Sequence, residues 1–209
     1  MKVIKASAEI VSFTPNLETN IEQAGRVCWK SEDKITDDSY APFIERIKGM
    51  QHESVLEHGA ITVKFICDRG ITHELVRHRV ASFSQESTRY ANYSKNKFGN
   101  EITVIEPYFF TENDGSYQAW YRACLNAEAS YLSLINDLGH TAQEARAVLP
   151  TCLKTEAYMT ANPREWRHVF KMRCPQSAHP QMREIMKPLL IQFANKWPVL
   201  FEDIAKQFD

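Results

Sequence analysis

The run Arg77-His78-Arg79-Val80-Ala81-Ser82-Phe83-Ser84-Gln85-Glu86-Ser87-Thr88-Arg89-Tyr90 constrains this chain more than any other stretch. Fourteen positions hold three arginines, a histidine, four serine or threonine hydroxyls and a carboxamide. Most of these groups donate hydrogen bonds to anions, and guanidinium stays charged at any working pH. Such a density of donors is costly to hold together unless something negative sits among them. The fold therefore has to gather this segment around an anionic ligand. A solvated basic turn accounts for an isolated R-x-R, but not for the hydroxyls and amide that follow.

The cluster is local. Against 25 Lys and Arg stand 26 Asp and Glu, for a formal net charge of −1 over 209 residues. A nucleic-acid binder usually carries its positive balance over a whole face, so no nucleic-acid partner is expected. The start, Met1-Lys2-Val3-Ile4-Lys5, lacks the apolar run of a signal peptide, and no stretch approaches the ~18 apolar residues of a membrane span. Five scattered cysteines without a C-x-x-C point to reduced thiols and a cytoplasmic location. Length and composition fit one domain over 1–209.

The expected fold class is α+β, a central mostly antiparallel sheet flanked by long helices. Residues 2–13 read as one or two strands, and Ile61, Val63, Phe65 and Cys67 alternate as in a half-buried strand. Short strands are expected at 102–105 and 152–161. Helices are expected over 15–29, 38–50, 71–80, 116–138 and 180–207, with a short one opened by the capping box Thr141-x-x-Glu144. Asn162-Pro163-Arg164-Glu165 is a strong start for a further helix: Asn caps, Pro takes the first position and Glu lies three after the cap.

On a helix over 71–80, Arg77 and Arg79 would point roughly 200° apart, suiting two anions or a ligand and a neighbouring chain. Arg164 and His168 share a face, whereas Arg173 points elsewhere. Arg146, among Ala145, Ala147, Val148 and Leu149, is expected in an apolar setting. The block His52-Glu53-Ser54-Val55-Leu56-Glu57-His58 invites metal, structural or ligand-binding readings, although its histidine spacing departs from H-E-x-x-H. There is no Gly-rich phosphate loop and no nucleophile elbow. Among the cysteines, only Cys174, beside Arg173, sits in an electropositive motif. The chemistry is therefore expected from a bound cofactor.

Arg77 to Tyr90 fits R-H-R-x-x-S-x-x-x-x-S-x-R-Y, which resembles the signature of the flavin-dependent thymidylate synthases. Seven fixed residues arise by chance on the order of 10⁻⁹ times per starting position. The block from His52 to His58, the run Glu144 to Pro150, and Asn162-x-Arg164 with Met172-Arg173 also resemble the family, in the expected order. The resemblance implies methylation of the uracil ring of dUMP to give dTMP. The carbon comes from 5,10-methylenetetrahydrofolate, and electrons come from NADPH through FAD. It also implies a homotetramer with sites shared between chains.

Carried over by position, the FAD contacts are His52, Ser54, Glu57, Arg77, His78, Arg79, Gln85, Asn162, Arg164 and His168. The dUMP contacts are Glu74, Arg77, Gln85, Glu86, Ser87, Thr88, Arg89, Arg146 and Arg173. Arg173 is the catalytic candidate, because a guanidinium at the uracil edge favours the ionised ring. No resident metal is implied. Gln85 and His168 stand where the family often has glutamate and asparagine, and both still form hydrogen bonds.

Two other readings make different demands. A metal-dependent nucleotide phosphohydrolase built on His52, Glu53, Glu57, His58, His73 and His78 would bind metal and lose activity to chelators. A non-catalytic nucleotide- or RNA-binding module would bind with a strong salt dependence and no flavin.

Overall fold

The computed structural model describes residues 1–111, 113 and 115–208. Among the described residues are six strands: β1 (Lys2–Ile4), β2 (Ser7–Phe13), β3 (Ile61–Asp68), β4 (Ser82–Gln85), β5 (Thr103–Ile105) and β6 (Lys154–Ala161). The eight α-helices are α1 (Leu17–Val27), α2 (Tyr40–Gly49), α3 (Arg69–Leu75), α4 (Gly115–Asn136), α5 (Ala142–Ala145), α6 (Pro163–Arg173), α7 (Pro180–Lys196) and α8 (Pro198–Ala205). Short 3₁₀ turns fill several of the connections. The class is α+β, as expected, with mixed parallel and antiparallel pairing. One sheet is ordered β2-β3-β6-β4, and β1 and β5 form a separate parallel pair in register from Lys2–Thr103 to Ile4–Ile105.

The chain divides into two compact units. One comprises Met1–Ser7, Phe65–Leu75 and Ser84–Ala157, and the other Ala8–Lys64, Val76–Phe83 and Tyr158–Asp209. The second is built on aromatic rings. Trp166 and Phe170 of α6 meet Phe193 of α7, with centroids 5.1 and 5.0 Å apart, and Phe201 of α8 lies 5.0 Å from Phe193. All four are fully buried, and each ring removes a large apolar area from water. Trp166 satisfies its indole N–H by donating to the Ile61 carbonyl at 3.0 Å, which ties α6 to β3.

The first unit has a smaller core of Tyr93, Ile102, Val104, Cys124, Tyr131, Ala145 and Leu153. Helix α4 supplies just two buried residues, Cys124 and Tyr131, from its 22 positions. Its half-buried Tyr117, Trp120 and Tyr121 pack on one another, with Tyr117 and Tyr121 stacked at 6.1 Å.

Three expectations need correction. The helix expected over 71–80 occupies Arg69–Leu75, opened where Asp68 Oδ1 accepts the Ile71 N–H at 2.7 Å. Beyond Leu75, Val76 and Val80 are exposed (42% and 68%), so neither valine supplies an apolar contact that would extend the helix. Arg77, His78 and Arg79 therefore lie in turns, and the helical argument for opposed directions does not apply to them. The single helix expected over 180–207 is two. Trp197 leaves the helical backbone (φ −135°, ψ 69°), as the residue before a proline is disfavoured in the helical region, and Pro198 opens α8. Pro188 does not break α7, whose Leu189, Leu190 and Phe193 are buried. Finally, β6 begins at Lys154, not Cys152.

Candidate functional site

Helix α6 starts as its sequence dictates. Asn162 Oδ1 accepts the Glu165 N–H at 2.8 Å, and Pro163 takes the first helical position. The helical period then brings Arg164, His168 and Lys171 to one side, where with Glu53, Glu57 and Val80 they line a cleft of about 490 Å³. That volume suits a small-molecule site. Arg164 Nη1 lies 2.6 Å from Glu57 Oε1 and its Nε 3.8 Å from Glu53 Oε2. Arg164 and Glu57 are about half exposed, so the pair contributes roughly 0–1 kcal/mol and yields readily to a phosphate. His52 is exposed and stacks on Trp29 (centroids 6.3 Å, 16°), and Ser54 is exposed on the following turn.

Arg167 has a different task. It is buried, with Nη1 and Nη2 each 2.7 Å from an Asp203 oxygen, and it donates a short bond to the Leu200 carbonyl. Its guanidinium locks α6 to α8.

His78 is buried at 6% exposure. Arg173 Nε donates to its Nε2 at 3.0 Å, and its Nδ1 lies 3.1 Å from Glu165 Oε1. A guanidinium nitrogen can only donate, so Nε2 accepts and the imidazole proton sits on Nδ1, facing the carboxylate. Burial holds the His78 pKa below the ordinary imidazole range; Arg173 adds to this, and Glu165 opposes it. His168, exposed, stands edge-on to His78 at 5.6 Å.

Among the described residues, His78, Glu165 and His168 form the group whose potential metal-ligating atoms lie within 4.8 Å of one another. It shares only His78 with the six residues of the phosphohydrolase reading. The Arg173 guanidinium hydrogen-bonded to His78 opposes a cation there. Arg77 and Arg79 are exposed beside it in sequence.

The signature continues into the first unit. Gln85 Nε2 donates to Thr72 Oγ1 at 2.9 Å and to Thr155 Oγ1 at 3.3 Å. The Glu86 carboxylate receives Tyr93 Oη at 2.8 Å and Lys154 Nζ at 3.1 Å, while Arg69 Nη1 donates to its carbonyl at 3.3 Å. These bonds fix the start of the 85–89 loop. Ser87 Oγ then accepts the Arg89 N–H at 3.3 Å, and the exposed Arg89 guanidinium lies 5.5 Å from the centre of the Tyr90 ring. Glu74 is half-buried on α3.

Arg146 departs from expectation. It is exposed, and its Nη1 makes a long 3.5 Å bond to Oγ1 of the buried Thr88. Ala145 takes the buried position, and the chain passes into a 3₁₀ turn at Arg146, which swings the guanidinium into solvent. Cys174 is buried, and burial pushes its thiol up to about 12, away from the reactive thiolate.

Glu165, Lys171, Arg69, Tyr93 and Lys154 escaped the sequence reading. Glu165 was visible only as a capping position, since its partner His78 lies 87 residues away.

The model of the family described as thymidylate synthase complementing protein matches residues 9–199. The chain is 30% identical over 201 residues to the flavin-dependent thymidylate synthase of Geobacter sulfurreducens, covering 93% of this chain and 84% of that protein. Against the enzyme of the same name from Mycobacterium tuberculosis, identity is 32% over 194 residues, covering 88% and 78%. Two solved structures share the fold. Thymidylate synthase X of Helicobacter pylori, with FAD and dUMP, aligns at TM-score 0.77 and 24% identity over 96% of this chain and 99% of that one. The UMP/dUMP methylase PolB of Streptomyces cacaoi, bound with 5-Br dUMP, aligns at TM-score 0.80 and 22% identity over 100% and 98%. With a match this long carrying the motif from Arg77 to Tyr90, the chain belongs to the flavin-dependent thymidylate synthase family.

Proposed function

We propose that this chain methylates the uracil ring of dUMP to give dTMP, with 5,10-methylenetetrahydrofolate as carbon donor and NADPH as reductant through FAD. The observation that carries the reading is the α6 cleft, with Arg164, His168 and Lys171 among its lining, beside the His78–Arg173 pair in a chain matched to this family over 9–199. That match includes segments of both compact units, which supports treating 1–209 as one functional domain.

The donors along α6 fit a flavin dinucleotide. Arg164 and Lys171 offer positive charge to a pyrophosphate, and the Asn162 amide and His168 ring offer hydrogen bonds. We assign His52, Ser54, Glu57, Arg77, Arg79 and Gln85 to the same cofactor on the strength of the family signature. FAD, when bound, supplies the electron transfer that no side chain of this chain provides. The 85–89 loop, Glu74 and Arg146 hold dUMP in this reading, with exposed Arg89 and Arg146 available to its phosphate. Arg173 faces the uracil edge, where its charge favours the ionised ring and makes it a better acceptor.

The chain acts as a homotetramer with sites shared between chains. The aromatic residues Tyr117, Trp120 and Tyr121, left half-buried on α4, support an intersubunit face. A net charge of −1 supports a small nucleotide partner and no nucleic acid. Among the described residues, no helix is long and apolar enough to cross a membrane, and free cysteines are consistent with a cytoplasmic enzyme.

The test is product formation. Purified protein supplied with FAD, NADPH, methylenetetrahydrofolate and dUMP is expected to release dTMP, and omitting any one of the last three should abolish it. Absence of dTMP from the complete, flavin-loaded mixture would overturn the proposal.

A further inference from the structure

The hydrogen bonds among Glu165, His78 and Arg173 run in one direction only. Arg173 Nε must donate across 3.0 Å, so His78 Nε2 accepts, and the single imidazole proton is left on Nδ1, 3.1 Å from Glu165 Oε1. Glu165 and His78 are 8% and 6% exposed, so water has little part in the arrangement. The backbone N–H of Glu165 is held by the Asn162 cap at 2.8 Å, which fixes the carboxylate's origin in the first turn of α6. A carboxylate is also favoured there by the helix dipole.

We propose that Glu165 is a positioning residue that acts through His78 to aim the Arg173 guanidinium, and so sets affinity for the pyrimidine nucleotide. This rests on the assignment of Arg173 to dUMP made above. Without an acceptor at residue 165, the buried Nδ1–H loses its partner and only the Arg173 bond favours that tautomer. An imidazole with its proton on Nε2 turns a donor toward the Arg173 donor, and the guanidinium is displaced. Gln at 165 keeps an acceptor oxygen within reach and preserves the tautomer without the charge. The arrangement matches the way a histidine ligand is oriented by a carboxylate on its far nitrogen.

The experiment uses the FAD-loaded full-length protein and titrates dUMP by the change in flavin absorbance, with flavin content and melting temperature as controls. Glu165→Leu is expected to weaken dUMP binding roughly tenfold or more, and Glu165→Gln to stay within about threefold of the parent. In an Arg173→Ala background, adding Glu165→Leu is expected to change affinity less than about twofold, because the residue it acts through is gone. Unchanged dUMP affinity in Glu165→Leu would overturn the proposal, as would an equal loss in both backgrounds, since the latter marks a general structural effect. If Arg173→Ala alone leaves dUMP affinity intact, the assignment of Arg173 fails and this proposal falls with it, a result distinct from the first two. Should Glu165→Leu fail to retain flavin, Glu165→Asp makes the same test with a shortened reach. A loss that vanishes without Arg173 supports the proposal, and an additive loss or no loss overturns it.

Discussion

Replacing Asp203 with alanine strips the partner from a buried guanidinium and leaves the surrounding helices in place. Arg167 is 4% exposed and makes two 2.7 Å bonds to Asp203, a bidentate geometry that gathers charge-assisted strength. Breaking a fully buried pair costs about 3–5 kcal/mol, and losing a fully exposed one about 0–1 kcal/mol. Here the Asp203 side chain is 40% exposed, and Arg167 keeps the Leu200 carbonyl as an acceptor. The expected cost is therefore intermediate, about 2–3 kcal/mol. For a chain of this size that lowers the melting temperature by roughly 4–12 °C.

Arg167→Met should cost less. It removes the buried charge and leaves Asp203 beside Lys48 Nζ at 3.1 Å. Burial alone would raise the Asp203 pKa, but Arg167 and then Lys48 outweigh it and hold the carboxyl below its ordinary range. A depressed carboxyl stabilises the fold above its unfolded pKa and loses that contribution as pH falls through the folded one. The gap between parent and Asp203→Ala should accordingly be full at neutral pH and close under acid conditions. Circular-dichroism melts of the protein without ligands, at one concentration, measure all three effects. Asp203→Ala melting within about 1 °C of the parent, or Arg167→Met melting below Asp203→Ala, would refute the reasoning.

Arg164→Met is expected to weaken FAD binding roughly ten- to a hundredfold in an absorbance titration, the loss of a charge-assisted bond. An unchanged affinity would remove Arg164 from the cofactor site. His78 faces Glu165, Arg173 and His168, and its pKa is held down chiefly by burial. Its contribution to stability is therefore fully present above the ordinary histidine value of about 6.5 and is lost as pH falls through the lower folded value. Protonation would also set Nε2–H against Arg173, so dUMP affinity should hold from pH 8 to about 7 and weaken only under acid. A profile that stays flat below the histidine range contradicts this. Gly25→Ala should lower stability by about 1 kcal/mol although alanine is the better helix former. A Cβ there would sit 2.5 Å from Phe43 Cζ and 2.9 Å from Val55 Cγ1, and Phe43 is only 3% exposed. A denaturant midpoint equal to or above the parent's would show that Phe43 can move aside.

What the sequence made legible was local. The Asn162 cap, the capping box at Thr141 and Glu144, and the alternation of β3 each depend on residues within a few positions of one another, and each formed. The shared face of Arg164 and His168 followed from the helical period alone. The bonds that give the site its geometry are long-range. Glu165 finds His78 across 87 positions and Arg173 finds His78 across 95, and no periodicity in either segment announces the pairing. Arg146 is exposed because the 3₁₀ turn carries its side chain away from the side on which Ala145 is buried, which the apolar residues around it in sequence do not announce. The end of α3 is not legible locally, because no residue after Leu75 announces that Val76 and Val80 stay exposed. The Trp197-Pro198 break runs against the single helix expected over 180–207, although the constraint a proline puts on the residue before it was present in the local sequence.

The most direct test of the central claim is an absorbance spectrum of the purified protein, reconstituted with FAD, before and after dUMP is added. The account expects flavin bands that shift on addition of dUMP, because nucleotide and flavin meet in one site. A colourless protein that takes up no FAD would contradict it.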